Sequence, residues 1–177
     1  VLPYTHNYQD HSHDGTHQIT QPDEEYHVHA DFKVFVRDTK VDLNRPELMT
    51  TSQNDLHKYV HLHDDNGDVI HIHNEGIPLA EFFESIGITL TDECVTVDEE
   101  TYCGNEAEQL GLYVNFAAYE GAITEYEPKD DDSVLLYYGV YNPEKITELM
   151  NNITDDSCYY SGTCPERGIA PPESCGL

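Results

Sequence analysis

The sequence predicts an α+β fold: a small mixed or antiparallel sheet, β-grasp-like, with one or two helices packed on it. Two stretches, residues 26–36 and 60–73, alternate apolar and polar side chains. That is the period of a half-buried strand, because successive side chains leave a strand on opposite faces. A helical stripe bounded by Pro78 and Gly87 follows, and then further short apolar runs that end in an interior-type strand at 134–138. Hairpin, helix, then strands is an α+β order. The chain divides into an ordered N-terminal extension (1–25), a histidine-rich α+β domain (26–141), and a C-terminal helix with a disulfide-tied tail (142–177).

Residues 1–25 carry no core pattern and hold His6, His11, His13 and His17 among Tyr, Asp, Gln and Thr. By composition this is a tail, expected to be ordered by packing on its own domain or by adding as an extended strand to a neighbouring subunit. The strand at 26–36 puts Tyr26, Val28, Ala30, Phe32, Val34 and Val36 on one face, and His27, His29, Asp31 and Lys33 on the other. It turns through 37–40 into a short strand at 41–43, and 46–54 reads as irregular.

The hairpin at 60–73 holds two H-x-H units around a turn-forming run, Asp64, Asp65, Asn66, Gly67 and Asp68. A two-residue Asn66-Gly67 loop pairs His63 with Ile70 and mixes histidine and aliphatic side chains on both faces. A three-residue loop of Asp65, Asn66 and Gly67, with the glycine left-handed, pairs His61 with His71 and Leu62 with Ile70. His61, His63, His71 and His73 then share one side, and Val60, Leu62, Ile70 and Ile72 the other. A core selects the register that sends a whole apolar set inward, so the three-residue loop is expected.

The helix after Pro78 buries Leu79, Phe82, Phe83 and Ile86 and stops at Gly87. Short strands are expected at 88–90, 95–97 and 112–116, then a turn at 127–133 and the strand at 134–138. Asn142-Pro143 starts a second helix reaching about residue 151. The remainder, 155–177, is a proline-rich tail.

Composition narrows the function. Thirty-five acidic residues against 8 Lys and Arg give a net charge of −27. Phosphate contact needs clustered cations, so the balance argues against nucleic acid and anionic membrane surfaces as partners. It suits a solvated surface, a cation-collecting one or high-salt adaptation. No apolar run approaches the roughly 18 residues of a membrane span. No signal peptide is visible at Val1, and a secreted chain whose leader has been removed reads the same way.

The chain has five cysteines and no C-x-x-C, which argues against a thioredoxin-like centre or a zinc ribbon. Cys94, Cys103, Cys158 and Cys164 are expected in structural disulfides, with the connectivity open. Such pairing places the protein outside a reducing cytosol, extracellular or at the cell surface. Closing a loop between Cys94 and Cys103 would contribute roughly 2–3 kcal/mol. Cys175 is left free or bonded to another chain. Asn152 heads an N-x-T glycosylation sequon.

The chemistry lies in the histidines. On a strand, i,i+2 spacing puts two rings on one side, and directly opposed residues on antiparallel strands stand roughly 4.5–5.5 Å apart at Cβ. His61 and His71 can therefore chelate one ion, with His63 and His73 diagonal to them. His27 and His29 complete that site or a second one. His57, Asp31 and Glu75, and His6, His11, His13 and His17 of the extension, form an outer tier of donors. Nitrogen-rich donors suit Cu²⁺ or Zn²⁺ and not Ca²⁺ or Mg²⁺. A histidine-lined subunit interface or pH-sensitive contact is the competing reading. No nucleophile motif or phosphate-binding glycine loop is present, so the chain is not expected to be an enzyme.

His27-x-His29-Ala30-Asp31-Phe32, His61-Leu62-His63-Asp64, Ile70-His71-Ile72-His73, the helix before Gly87, and the run from Cys158 through Cys164-Pro165-Glu166-Arg167-Gly168 to Cys175 form a distinctive set. Together they resemble a family of secreted, histidine-rich hypothetical proteins of archaea and candidate-phylum bacteria. The likeness spans roughly residues 26–177. It implies export and retained cysteines and histidines, and brings no activity with it. The expected function is an extracellular metal-binding structural protein. It would self-assemble into a homo-oligomer or filament through the N-terminal extension. A secreted monomeric copper or zinc carrier, or a metal-dependent enzyme, is the alternative.

Overall fold

The computed structural model of the chain describes residues 26–170. Strand β1 (Val28–Val36) runs through the middle of the main sheet, followed by β2 (Thr39–Lys40), β3 (Val60–His63), β4 (Asn66–Ile72), helix α1 (Leu79–Ser85), β5 (Thr89–Leu90), β6 (Cys94–Val97), β7 (Glu100–Cys103), β8 (Gln109–Val114), β9 (Ala117–Ala118), β10 (Ser133–Gly139), α2 (Pro143–Asn151) and α3 (Ser157–Tyr160). The main sheet has the order β3-β4-β1-β10-β8-β9, with β2 also on β1, and β5-β6-β7 form a second sheet. At the centre β1 and β10 are parallel, and each has an antiparallel partner outside it, β4 and β8. This is the mixed, β-grasp-like arrangement the element order anticipates. Among the described residues, no helix is long and apolar enough to cross a membrane.

Alternation decides the two faces. Ala30, Phe32 and Val34 of β1, Val60 and Leu62 of β3, Ile70 and Ile72 of β4, and Val134 and Leu136 of β10 are buried. Most of this set packs with Leu79, Phe82 and Phe83 of α1. Phe32 meets Phe82 edge to face at 5.1 Å, and each such ring contributes roughly 1.5–3 kcal/mol on burial. On the opposite face Leu135 and Tyr137 pack against Ile146, Leu149 and Met150 of α2. β10 is thus apolar on both sides, as a central parallel strand requires. The Asn142 side chain caps α2 by accepting from the amides of Glu144 (3.0 Å) and Lys145 (3.2 Å).

The hairpin keeps the expected His61–His71 pairing but turns elsewhere. His63 pairs with Asn66, and the ladder shifts register before His61 meets His71. The turn is therefore Asp64-Asp65, both left-handed at φ 55°, and not Asp65-Asn66-Gly67. Gly67 serves close approach: a Cβ there would lie 2.5 Å from the backbone of Leu43 and Asn44. The added residues of β4 sit in the irregularity that lets this approach coexist with the histidine register.

Strand β7 is absent from the sequence expectation. Its turn uses left-handed Asp98 and Glu99 (φ 49° and 70°), so the usual glycine signal is missing. The strand expected at 41–43 is instead β2, and Val41 and Leu43 are buried beyond its end. The disulfides are Cys94–Cys103, directly opposite across β6 and β7, and Cys158–Cys164 around α3. The N-terminal extension and Cys175 lie outside the described residues.

Candidate metal centre

β1, β4 and β3 lie side by side, and His29 and His61 both pair with His71 between them. His27 and His73 stand one step out on the same face, and His63 is diagonal to His71. Ring centroids form a continuous chain. His27 is 4.4 Å from His29 and 4.3 Å from His73. His29 is 4.7 Å and His63 3.7 Å from His71, and His61 is 4.9 Å from His73. All but His27 are buried. The donor nitrogens of His27, His29 and His71 all lie within 4.8 Å of one another, a group able to hold a metal ion. With metal–nitrogen bonds of about 2.0–2.1 Å, tetrahedral donors sit roughly 3.3 Å apart. Closing on an ion draws these nitrogens together from at most 4.8 Å.

The outer partners set the tautomers. Ser161 donates its hydroxyl proton to Asp130 Oδ1 (2.5 Å), so His29 Nδ1, 2.7 Å from Ser161 Oγ, is the donor in that bond. His61 Nδ1 donates to the His57 carbonyl at 3.2 Å. His63 Nδ1 faces Asp64 Oδ2 at 2.9 Å. On His29 and His61, then, Nδ1 carries the proton and Nε2 the lone pair, the arrangement in which an oxygen acceptor orients a ligating imidazole. The Asp130 loop is itself fixed. Asp132 accepts from Lys129 N (2.7 Å), Asn115 Nδ2 (2.7 Å) and the Tyr126 hydroxyl, and Asp131 N donates to His29 O at 2.9 Å. Burial and the neighbouring Asp132 carboxylate push the Tyr126 phenol above its ordinary range, so it stays a donor. Tyr160 of α3 lies over the cluster, 5.0 Å from the His71 ring and 5.6 Å from that of His29.

Several expected donors are committed elsewhere. Asp31 points to the histidine side, but both its oxygens are taken by the C-terminal segment. They accept from the Thr154 hydroxyl (2.5 Å), Asp156 N (2.9 Å) and Ser157 N (2.9 Å). His57 Nδ1 accepts from the amides of Tyr59 and Val60, both at 3.2 Å, and Nε2 meets Glu81 at 3.2 Å. It braces His61 and does not join the rings. Glu75 is exposed beside Tyr26, Glu127 and Lys129. His6, His11, His13 and His17 lie outside the described residues. Asn152 is exposed at the end of α2. The supporting residues Asp130, Ser161 and Tyr160 carry no signal in the sequence, since they come from a loop and a helix remote from every H-x-H unit.

The fold and site define a disulfide-containing α+β protein with a histidine face on its sheet. Comparison with protein-family models, curated proteins and solved structures gives no match.

Proposed function

We propose that this protein is an extracellular binder of a divalent transition metal, Cu²⁺ or Zn²⁺, held by the histidine face of the β3-β4-β1 sheet. The observation that carries the reading is the convergence of His27, His29 and His71, with His29 oriented through Ser161 and Asp130. All-nitrogen donors favour these ions over Ca²⁺ and Mg²⁺. Net charge of −27 raises the local cation concentration. Burial of five of the six rings supports donors held rigidly by the sheet. Two disulfides support an oxidising compartment, and glycosylation at Asn152 belongs to the same reading. Elemental analysis of protein purified without added metal or affinity tag, followed by calorimetry with Zn²⁺ and Cu²⁺, tests it. Stoichiometric metal is expected, and absence of binding at micromolar metal overturns it.

Self-assembly is a separate proposal. Its support is that four of the five cysteines pair within the chain, so that Cys175 is free or available to another chain. Light scattering and non-reducing electrophoresis test it. A monomer with and without metal ends it.

A further inference from the structure

We infer that His61 and His73 chelate a second transition-metal ion beside the group of His27, His29 and His71. The inference shares with the proposed function the reading of this face as metal-binding, but it concerns different ligands and can stand or fall alone.

The spacing of the two nitrogens matches a chelate. His61 Nε2 and His73 Nε2 face each other at 3.2 Å. Two imidazoles on one tetrahedral ion with bonds of about 2.0–2.1 Å hold their nitrogens roughly 3.3 Å apart, so little movement is needed. The pair is built on rigid elements. His61 lies in β3, directly opposite His71, and His73 N donates to Tyr59 O at 2.8 Å just past the end of β4. Both rings are buried, at 1% and 9% exposure.

The support extends one layer further. His61 Nδ1 donates to the His57 carbonyl, which fixes the lone pair on Nε2, toward His73. His57 is in turn held by two backbone amides and Glu81. The bland alternative is an N–H···N hydrogen bond from His73 to His61, which the same distance allows. The ion count separates the two; His27, whose ring is 4.3 Å from His73 and 4.4 Å from His29, stands between the two groups. Water or another small donor would fill the remaining positions on the second ion.

The experiment uses the full chain, stripped with chelator, reloaded with Cu²⁺ or Zn²⁺ and weighed by native mass spectrometry. Wild type is compared with His61→Gln/His73→Gln and with His29→Gln/His71→Gln. Each double variant should hold one ion fewer than wild type and keep the other. If the His61/His73 variant holds as many ions as wild type, or loses every ion bound to this face, the inference is overturned. If instead the His29/His71 variant holds as many as wild type, the first site fails and the second stands. Counting by difference removes any ions taken by the histidines of residues 1–25. A readout on wild type alone covers a variant that does not fold. On titration with Zn²⁺ the ring-nitrogen chemical shifts of His61 and His73 should move to the range of ligated imidazole, and shifts unmoved at saturation overturn the inference.

Discussion

His29 Nδ1 and the Ser161 hydroxyl meet at 2.7 Å across 132 positions of sequence, tying the histidine face to the C-terminal helix. Ser161→Ala removes the acceptor that fixes the His29 tautomer. Loss of such an outer partner lowers metal affinity about 10–100-fold. Calorimetry should show this drop with little change in urea midpoint. Unchanged affinity would mean that Ser161 only packs α3.

Asp31→Ala should be the most destabilising of the single changes considered. The buried carboxylate takes three hydrogen bonds from Thr154, Asp156 and Ser157, and hydrogen bonds to a charged group contribute about 1.5–3 kcal/mol each. A loss of at least about 3 kcal/mol in urea unfolding is expected, with early hydrogen exchange in α3.

The two disulfides should separate in function. Each closes a short loop, which stabilises by roughly 2–3 kcal/mol. Cys158→Ser/Cys164→Ser also loosens the helix bearing Tyr160 and Ser161, so metal affinity should fall. Cys94→Ser/Cys103→Ser should cost similar stability and leave affinity unchanged. Equal effects on metal binding would contradict this.

Gly67→Ala places a methyl against the Leu43 and Asn44 backbone, 2.5 Å away. Backbone cannot yield as a flexible side chain does, and overpacking costs about 1–3 kcal/mol. Thermal unfolding should show it, with disturbed chemical shifts in both segments.

Acid should destabilise the metal-free protein through two carboxylates. The Arg37 guanidinium holds Glu108 below its ordinary range, and the Thr124 amide and hydroxyl do the same for Asp92. A depressed carboxylate stabilises fully above its unfolded value, about 3.9–4.3. That contribution disappears as pH falls through the folded value. Glu108→Gln/Asp92→Asn should flatten the stability profile below about pH 4.3. An unaltered slope would place the acid sensitivity elsewhere.

Much of the fold is legible locally. Period-two alternation at 26–36 and 60–73 settles which side chains share a face, and Asn142-Pro143 and Gly87 mark helix ends through backbone geometry that a few residues define. The turn was not legible in the same way. Asp64-Asp65 takes the left-handed corner without glycine, while Asn66-Gly67, the stronger turn signal, sits inside β4 because another segment passes over it.

What the sequence by itself determined was the grouping of six imidazoles on one face, because alternation is a property of any extended chain with a core to fill. Only the tertiary structure decided their partners. Asp31, a candidate ligand by its place in the alternation, anchors the C-terminal segment, and His57, another candidate, braces His61. Ser161 and Asp130, which no sequence motif marks, orient His29. Hydrogen bonds between residues a hundred positions apart depend on how α3 and the loop before β10 dock on the sheet, and no local pattern encodes that docking.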